Sequence, residues 1–237
     1  MSRFRAEDTV GQVVATSPPT SRVFEKYGID YCCGGKVSLK EVCVKRGLEA
    51  PKVLEELDRA SAASPEAEDL TQLGLQDLVE RILSTHHAFV KREIPRLTAL
   101  MEKVVRVHGE NHPQSLPAMG RLWAHAAPAL QQHLAKEEEM LFPWIVQLDQ
   151  GRLDPSMALS IDMPISVMEA EHDEHGEAFA RMRSFAGDYV APVDACGSWR
   201  ALWSGLEEFE RDLHRHVHLE NHVLFPQARA RAGLQPA

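Results

Sequence analysis

Beyond residue 72, apolar positions recur every three to four residues through four long segments, about 73–107, 116–149, 161–188 and 197–231. That spacing turns one face of a helix toward a core. Pro113, Pro117, Gly151, Pro155, Pro164, Gly187 and Pro192 fall between the segments or at their ends, and no stretch alternates as a half-buried strand would. Pro95 and Pro128 lie inside the first two segments, where kinks are expected. Four long helices joined by short loops predict an all-α protein with an up-down-up-down four-helix bundle, an architecture that builds metal sites from inward-facing side chains.

The first part of the chain has a different texture. Asp8 leads into Val10-Gly-Gln-Val-Val, Pro19 into Val23-Phe24-Tyr27, and a turn follows at Gly28-Ile-Asp-Tyr-Cys-Cys-Gly-Gly. Ser38 with Glu41 three residues on reads as a capping box, and Pro51 opens a helix carrying Val53, Leu54 and Leu57. These short pieces predict a small helical domain over 1–60. Residues 60–69, small, acidic and interrupted by Pro65, have the composition of a linker, so the expected boundaries are a linker at 61–72 and the bundle at 73–232.

Composition narrows the function classes. Hydrophobic residues make up 44% of 237, enough for a buried core. A net charge of -9 with no Lys- or Arg-rich block argues against a nucleic-acid partner. The N-terminus lacks the apolar stretch of a signal peptide and no window is long and apolar enough to span a membrane, so a cytoplasmic location without membrane association is expected. Cys32, Cys33, Cys43 and Cys196 are spaced unlike a secreted disulfide framework and unlike a paired CxxC zinc site.

The chemistry lies in a repeat. His133, Glu137 and Leu141-Phe142-Pro143 recur in the same register as His216, Glu220 and Leu224-Phe225-Pro226. On a helix, residues four apart share a face, so each copy offers an imidazole and a carboxylate to one point. The first long segment offers His86 and His87, the third His172 and His175. His87 precedes His133 by 46 residues and His172 precedes His216 by 44, which makes the chain two helical hairpins, each with one His on its first helix and His-xxx-Glu on its second. Four imidazoles and two carboxylates without thiolate suit iron, manganese or zinc. If both glutamates bridge, two metals each receive two His and two carboxylate oxygens, and an oxo or hydroxo bridge leaves open positions for a small molecule.

The same register places His214, His218 and His222 over Gln131, Ala135 and Glu139, on the face opposite the His133/Glu137 pair. They are expected to face outward. His108, His112 and His125 receive no ligand role. His175 and Glu171 are candidates to orient ligating imidazoles.

Asp30-Tyr-Cys-Cys-Gly-Gly is the second feature. Adjacent cysteines can close only a strained, labile disulfide ring, and the two glycines permit a tight turn that exposes thiols. A buried turn of small residues with a chance Cys pair is the competing reading. Cys43 and Cys196 are expected to be inert.

Together these residues resemble the di-iron iron-sulfur cluster repair proteins, the repair-of-iron-centres family. The resemblance runs from Thr9 to Ala228 and rests on Asp30 to Gly35, on Ile165-Ser-Val-Met-Glu-Ala-Glu-His-Asp-Glu-His and on Leu219-Glu-Asn-His-Val-Leu-Phe-Pro. It implies a hemerythrin-like bundle after a Cys-Cys-Gly-Gly domain, with two iron ions on His87, His133, Glu137, His172, His216 and Glu220. The distance to Ile94-Pro95 selects His87 over His86. It further implies a stress-response protein that repairs iron-sulfur clusters damaged by nitric oxide or peroxide, through iron donation rather than turnover, with Cys32 and Cys33 as iron-transfer or redox thiols. Proteins with damaged clusters are then its partners, and nitric oxide or dioxygen its small ligands. A nitric oxide reductase and a hemerythrin-like gas carrier or sensor are the alternatives, and pairing into a homodimer stays open.

Overall fold

Several helices begin where the sequence supplies a cap. Thr9 accepts a hydrogen bond from the Gln12 amide at the start of α1 (Val10–Thr16). α2 spans Ser21–Lys26. The expected capping box is present on α3 (Leu39–Arg46), where Ser38 and Glu41 bond reciprocally, and Gly47 at φ +64° closes it in the left-handed region. Pro51 lies in the first turn of α4 (Ala50–Ala62).

The four long helices follow. α5 covers 75–108, α6 116–149, and α9 197–231; a short α7 (Pro155–Ser160) precedes α8 (Asp162–Phe185). This computed structural model describes residues 3–63 and 68–234, so residues 64–67 of the expected linker lie outside the described residues. Among those residues there is no strand, only one antiparallel bridge between Thr9 and Ser38. The all-α architecture, a bundle preceded by small helices, is the one the periodicity predicts.

α5, α6 and α9 each contain one widened π-helical turn: Leu83–His87, Glu137–Leu141 and Glu220–Leu224. The helices run through Pro95 and Pro128, and the widened turns lie elsewhere. In α6 and α9 the reason is local. Pro143 and Pro226 have no N–H to donate, and their rings crowd the carbonyl four residues back, inside the turn that widens. Leu141, Phe142, Leu224 and Phe225 around it are buried.

The chain divides into two compact units. One comprises Met1–Glu80, Ile145–Asp162 and His214–Ala237; the other Arg81–Trp144 and Met163–Leu213. In the first, Val10, Val13 and Val14 of α1, Phe24 of α2, Leu39 and Cys43 of α3, and Val53 and Leu57 of α4 are buried. In the second, Phe179 of α8 stacks on Phe209 of α9 at 5.4 Å, with Trp123 of α6 edge-on to Phe209 at 5.7 Å. Rings of this size each contribute roughly 1.5–3 kcal/mol when fully buried.

Candidate metal centre

In the second unit, α5, α6 and α8 place His87, His133, Glu137 and His172 in the interior, none more than 1% exposed. His87 ends one π turn and Glu137 begins another. The outer nitrogens of two imidazoles are tied to carboxylates. His87 Nδ1 donates to Glu138 Oε1 at 2.7 Å, and Glu138 also accepts from Lys91 at 2.6 Å. His133 Nδ1 donates to Glu171 Oε2 at 2.9 Å, and Glu171 also accepts from Lys136. Burial pushes Glu138 and Glu171 up, but their Lys and His partners outweigh it and hold both below the ordinary carboxylate range.

These bonds dictate what the inner nitrogens do. An imidazole that donates from Nδ1 turns the Nε2 lone pair inward. His87 Nε2 lies 3.4 Å and His133 Nε2 3.3 Å from the two oxygens of Glu137, while His172 Nε2 lies 3.9 Å from Glu137 and 3.1 Å from His133 Nε2. Lone pairs converging on a buried carboxylate repel unless a cation stands between them. The donor set therefore fits a metal ion. His175, one turn beyond His172, sets its ring at right angles to His133 at 5.2 Å, and burial followed by the charges of His133 and His172 lowers it to about 4.

The first unit holds the other repeat. His216 Nε2 and Glu220 Oε1 lie 2.9 Å apart, both fully buried, with Glu220 opening the π turn of α9. The neighbouring histidine stripe departs from expectation. It turns away from the His216/Glu220 face, but it is not a solvent face: His218 is 2% exposed and donates from Nε2 to the Gly11 carbonyl at 2.8 Å, and His222 donates to the Cys32 carbonyl at 2.7 Å. Tyr31 packs edge-on to His214 and against His218. The N-terminal helices occupy this face, and burial pushes His218 down to about 3, so it stays neutral.

The dithiol turn is built around Asp30. Its carboxylate accepts from the amides of Cys32, Cys33 and Gly34 at 3.0, 3.0 and 2.9 Å. Cys32 Sγ lies 3.9 Å from Cys33 Sγ and 3.3 Å from Asp30, and no disulfide joins the pair. Cys32 is buried and Cys33 half-buried. The contact with Cys33, then burial, then the Asp30 charge hold the Cys32 thiol well above its usual range. Asp30, Cys32 and Cys33 form a set whose donor atoms all lie within 4.8 Å of one another.

Comparison with known proteins now bears on this geometry. Residues 78–228 match the hemerythrin HHE cation binding domain, and residues 6–61 match ScdA_N, a domain of unknown function (DUF542). A probable iron-sulfur cluster repair protein of Haemophilus influenzae is 35% identical over 94% of this chain and 96% of its own. The chain belongs to the iron-sulfur cluster repair family. Other members it resembles are the repair protein YtfE of Musicola paradisiaca, 34% identical over 94% of this chain, and ScdA of Staphylococcus haemolyticus, 32% identical over 92%; each comparison covers 96% of the relative. For a repair-family chain with a hemerythrin-like domain, iron is the cation this buried His/Glu chemistry serves. No helix among the described residues is long and apolar enough to cross a membrane.

Glu171 is legible in sequence beside a candidate ligand; Glu138, which follows Glu137 directly, is not among the sequence candidates. Its signal was a second carboxylate one residue past the repeat, on the side from which α5 approaches. His86 pairs with Asp212 at 3.0 Å.

Proposed function

We propose that His87, His133, Glu137, His172, His216 and Glu220 hold two iron ions with Glu137 and Glu220 as shared carboxylates, and that the protein repairs damaged iron-sulfur clusters by donating iron. One observation carries this reading. Within one unit the buried Glu137 sets Oε2 3.4 Å from His87 Nε2 and Oε1 3.3 Å from His133 Nε2 and 3.9 Å from His172 Nε2. A carboxylate whose two oxygens face different imidazoles is what a bridging ligand requires, and Glu220 repeats its place in the His-xxx-Glu register.

Mixed His and carboxylate ligation without thiolate holds ferrous iron less firmly than a sulfur-rich site. Iron supplies a centre that changes oxidation state and meets nitric oxide or dioxygen; the protein's part is to fix the imidazoles through Glu138 and Glu171 and to keep the interior dry. Cys32 and Cys33 are the thiols that receive the iron, each giving up its proton on ligation. Recipients are proteins with damaged clusters, and the setting is the cytoplasm.

Metal analysis with an optical spectrum tests the centre: about two irons per chain are expected, with His133→Ala or Glu220→Ala losing most of the metal. Full occupancy in both variants overturns the ligand assignment. Iron transfer to an apo-cluster protein tests the role, and Cys32→Ser with Cys33→Ser should impair transfer more than iron binding. Equal transfer by the double variant removes the thiols from the reading.

A further inference from the structure

Three facts about His222 converge. It lies two residues beyond Glu220, inside the same π turn of α9. Its Nε2 donates to the backbone carbonyl of Cys32 at 2.7 Å, and the neighbouring Asn221 amide reaches the same carbonyl at 3.5 Å. Its ring also fits against two glycines of the N-terminal segment: a Cβ at Gly11 would stand 2.6 Å from His222 Nδ1, and a Cβ at Gly35 would overlap His222 Nε2. No real Cβ comes so near a ring atom, so both positions must be bare.

The socket is braced from within. The Gly11 amide donates to the Gly35 carbonyl at 2.9 Å, and the Val10 amide to the Val37 carbonyl at 3.0 Å, which satisfies the open N–H groups of α1 and ties its first turn to the strip just after the cysteines. His218, one helical turn before His222, donates to the Gly11 carbonyl from the same face of α9. Neither glycine needs a positive φ; what each supplies is space.

We propose that His222 is a positioning residue: a plug in the Gly11/Gly35 socket that seats the Cys32–Cys33 turn beside the Glu220 turn, so that the dithiol takes iron from its own chain. The inference rests on the iron-donor reading above. It gives one glycine of Cys-Cys-Gly-Gly a docking role beside its place in the turn, where a Cβ would also stand 2.5 Å from the Tyr31 carbonyl oxygen. It also explains why Cys32 is buried: the group that holds its carbonyl covers the turn.

The test uses the full-length protein loaded with iron, and reads Cys32 by maleimide labelling and mass spectrometry before activity is considered. In His222→Ala, Cys32 should label about tenfold faster because the segment opens more often, and in His222→Gln, which keeps an amide donor at similar reach, the rate should return toward the parent. Gly11→Ala provides an independent arm away from the ligands. Alanine is the better helix former, yet at this buried position the variant should label faster too, and adding His222→Ala should cancel the effect of the new methyl because the ring it strikes is gone. Iron per chain, measured on every variant, separates undocking from loss of the centre.

Faster labelling with iron retained and transfer to an apo-cluster protein reduced supports the proposal. Unchanged labelling in both His222→Ala and Gly11→Ala overturns the plug itself. Faster labelling with transfer unchanged overturns its positioning role, and the Cys32→Ser with Cys33→Ser variant measured beside it tells whether the dithiol reading fails as well. Additive effects of Gly11→Ala and His222→Ala overturn the socket, since two groups that do not touch do not couple.

Discussion

His87 and His133 show how much a single neighbouring carboxylate settles. Glu138 and Glu171 each take an Nδ1 proton and are themselves held by a lysine, so the two imidazoles turn their lone pairs toward Glu137 without choice of tautomer. Cys196 is the residue whose reading changes most. Expected to be inert, it is instead exposed just before α9, and the Trp199 backbone amide, with His108 Nε2 at 3.3 Å next in effect, lowers its thiol to about 7. A lowered thiol pKa means the reactive thiolate predominates above that value. Iodoacetamide labelling of Cys196 should therefore rise through pH 7, and His108→Ala should move the midpoint upward toward the ordinary thiol range; a midpoint indifferent to that substitution would contradict the pairing.

Among elements, the caps and breaks of the small helices follow from local sequence, and one of them can be priced. Ser38 Oγ accepts from the Glu41 amide at 3.3 Å and Glu41 Oε2 accepts from the Ser38 amide at 3.1 Å. Ser38→Ala should cost about 1 kcal/mol, read as a lower urea midpoint with unchanged slope. No change would mean that α3 is held by its packing alone. The long helices were also legible: periodicity placed each within a few residues of where it lies, because burying one face of a helix needs only a repeating pattern. The π turns were not. Leu-Phe-Pro marks two of them in hindsight, but α5 widens at Leu83–His87 with no proline beside it, and proline at 95 and 128 leaves the helix unwidened. Whether a helix absorbs a proline by widening depends on which neighbouring groups make the wider turn worthwhile, and those come from other parts of the chain.

For the whole molecule, iron at the proposed centre would be part of the fold. Burying Glu137 and Glu220 among imidazoles costs free energy that a cation offsets, so iron that binds only the folded chain should stabilise it. Chelating the iron should lower the unfolding temperature and readdition should restore it; the effect is roughly 2.7 kcal/mol when free iron is a hundredfold above its dissociation constant. An unfolding temperature indifferent to chelation would mean the buried glutamates are satisfied by protein alone. Residue type and register were enough to reveal the helices, the family resemblance and the two His-xxx-Glu copies, because each depends on spacing within one helix. Folding alone brought Glu138 to His87, seated His222 between Gly11 and Gly35, and gave Cys196 its histidine. Those contacts join residues tens to hundreds of positions apart, and no periodicity along the chain records which distant side chain will meet the outer face of a helix.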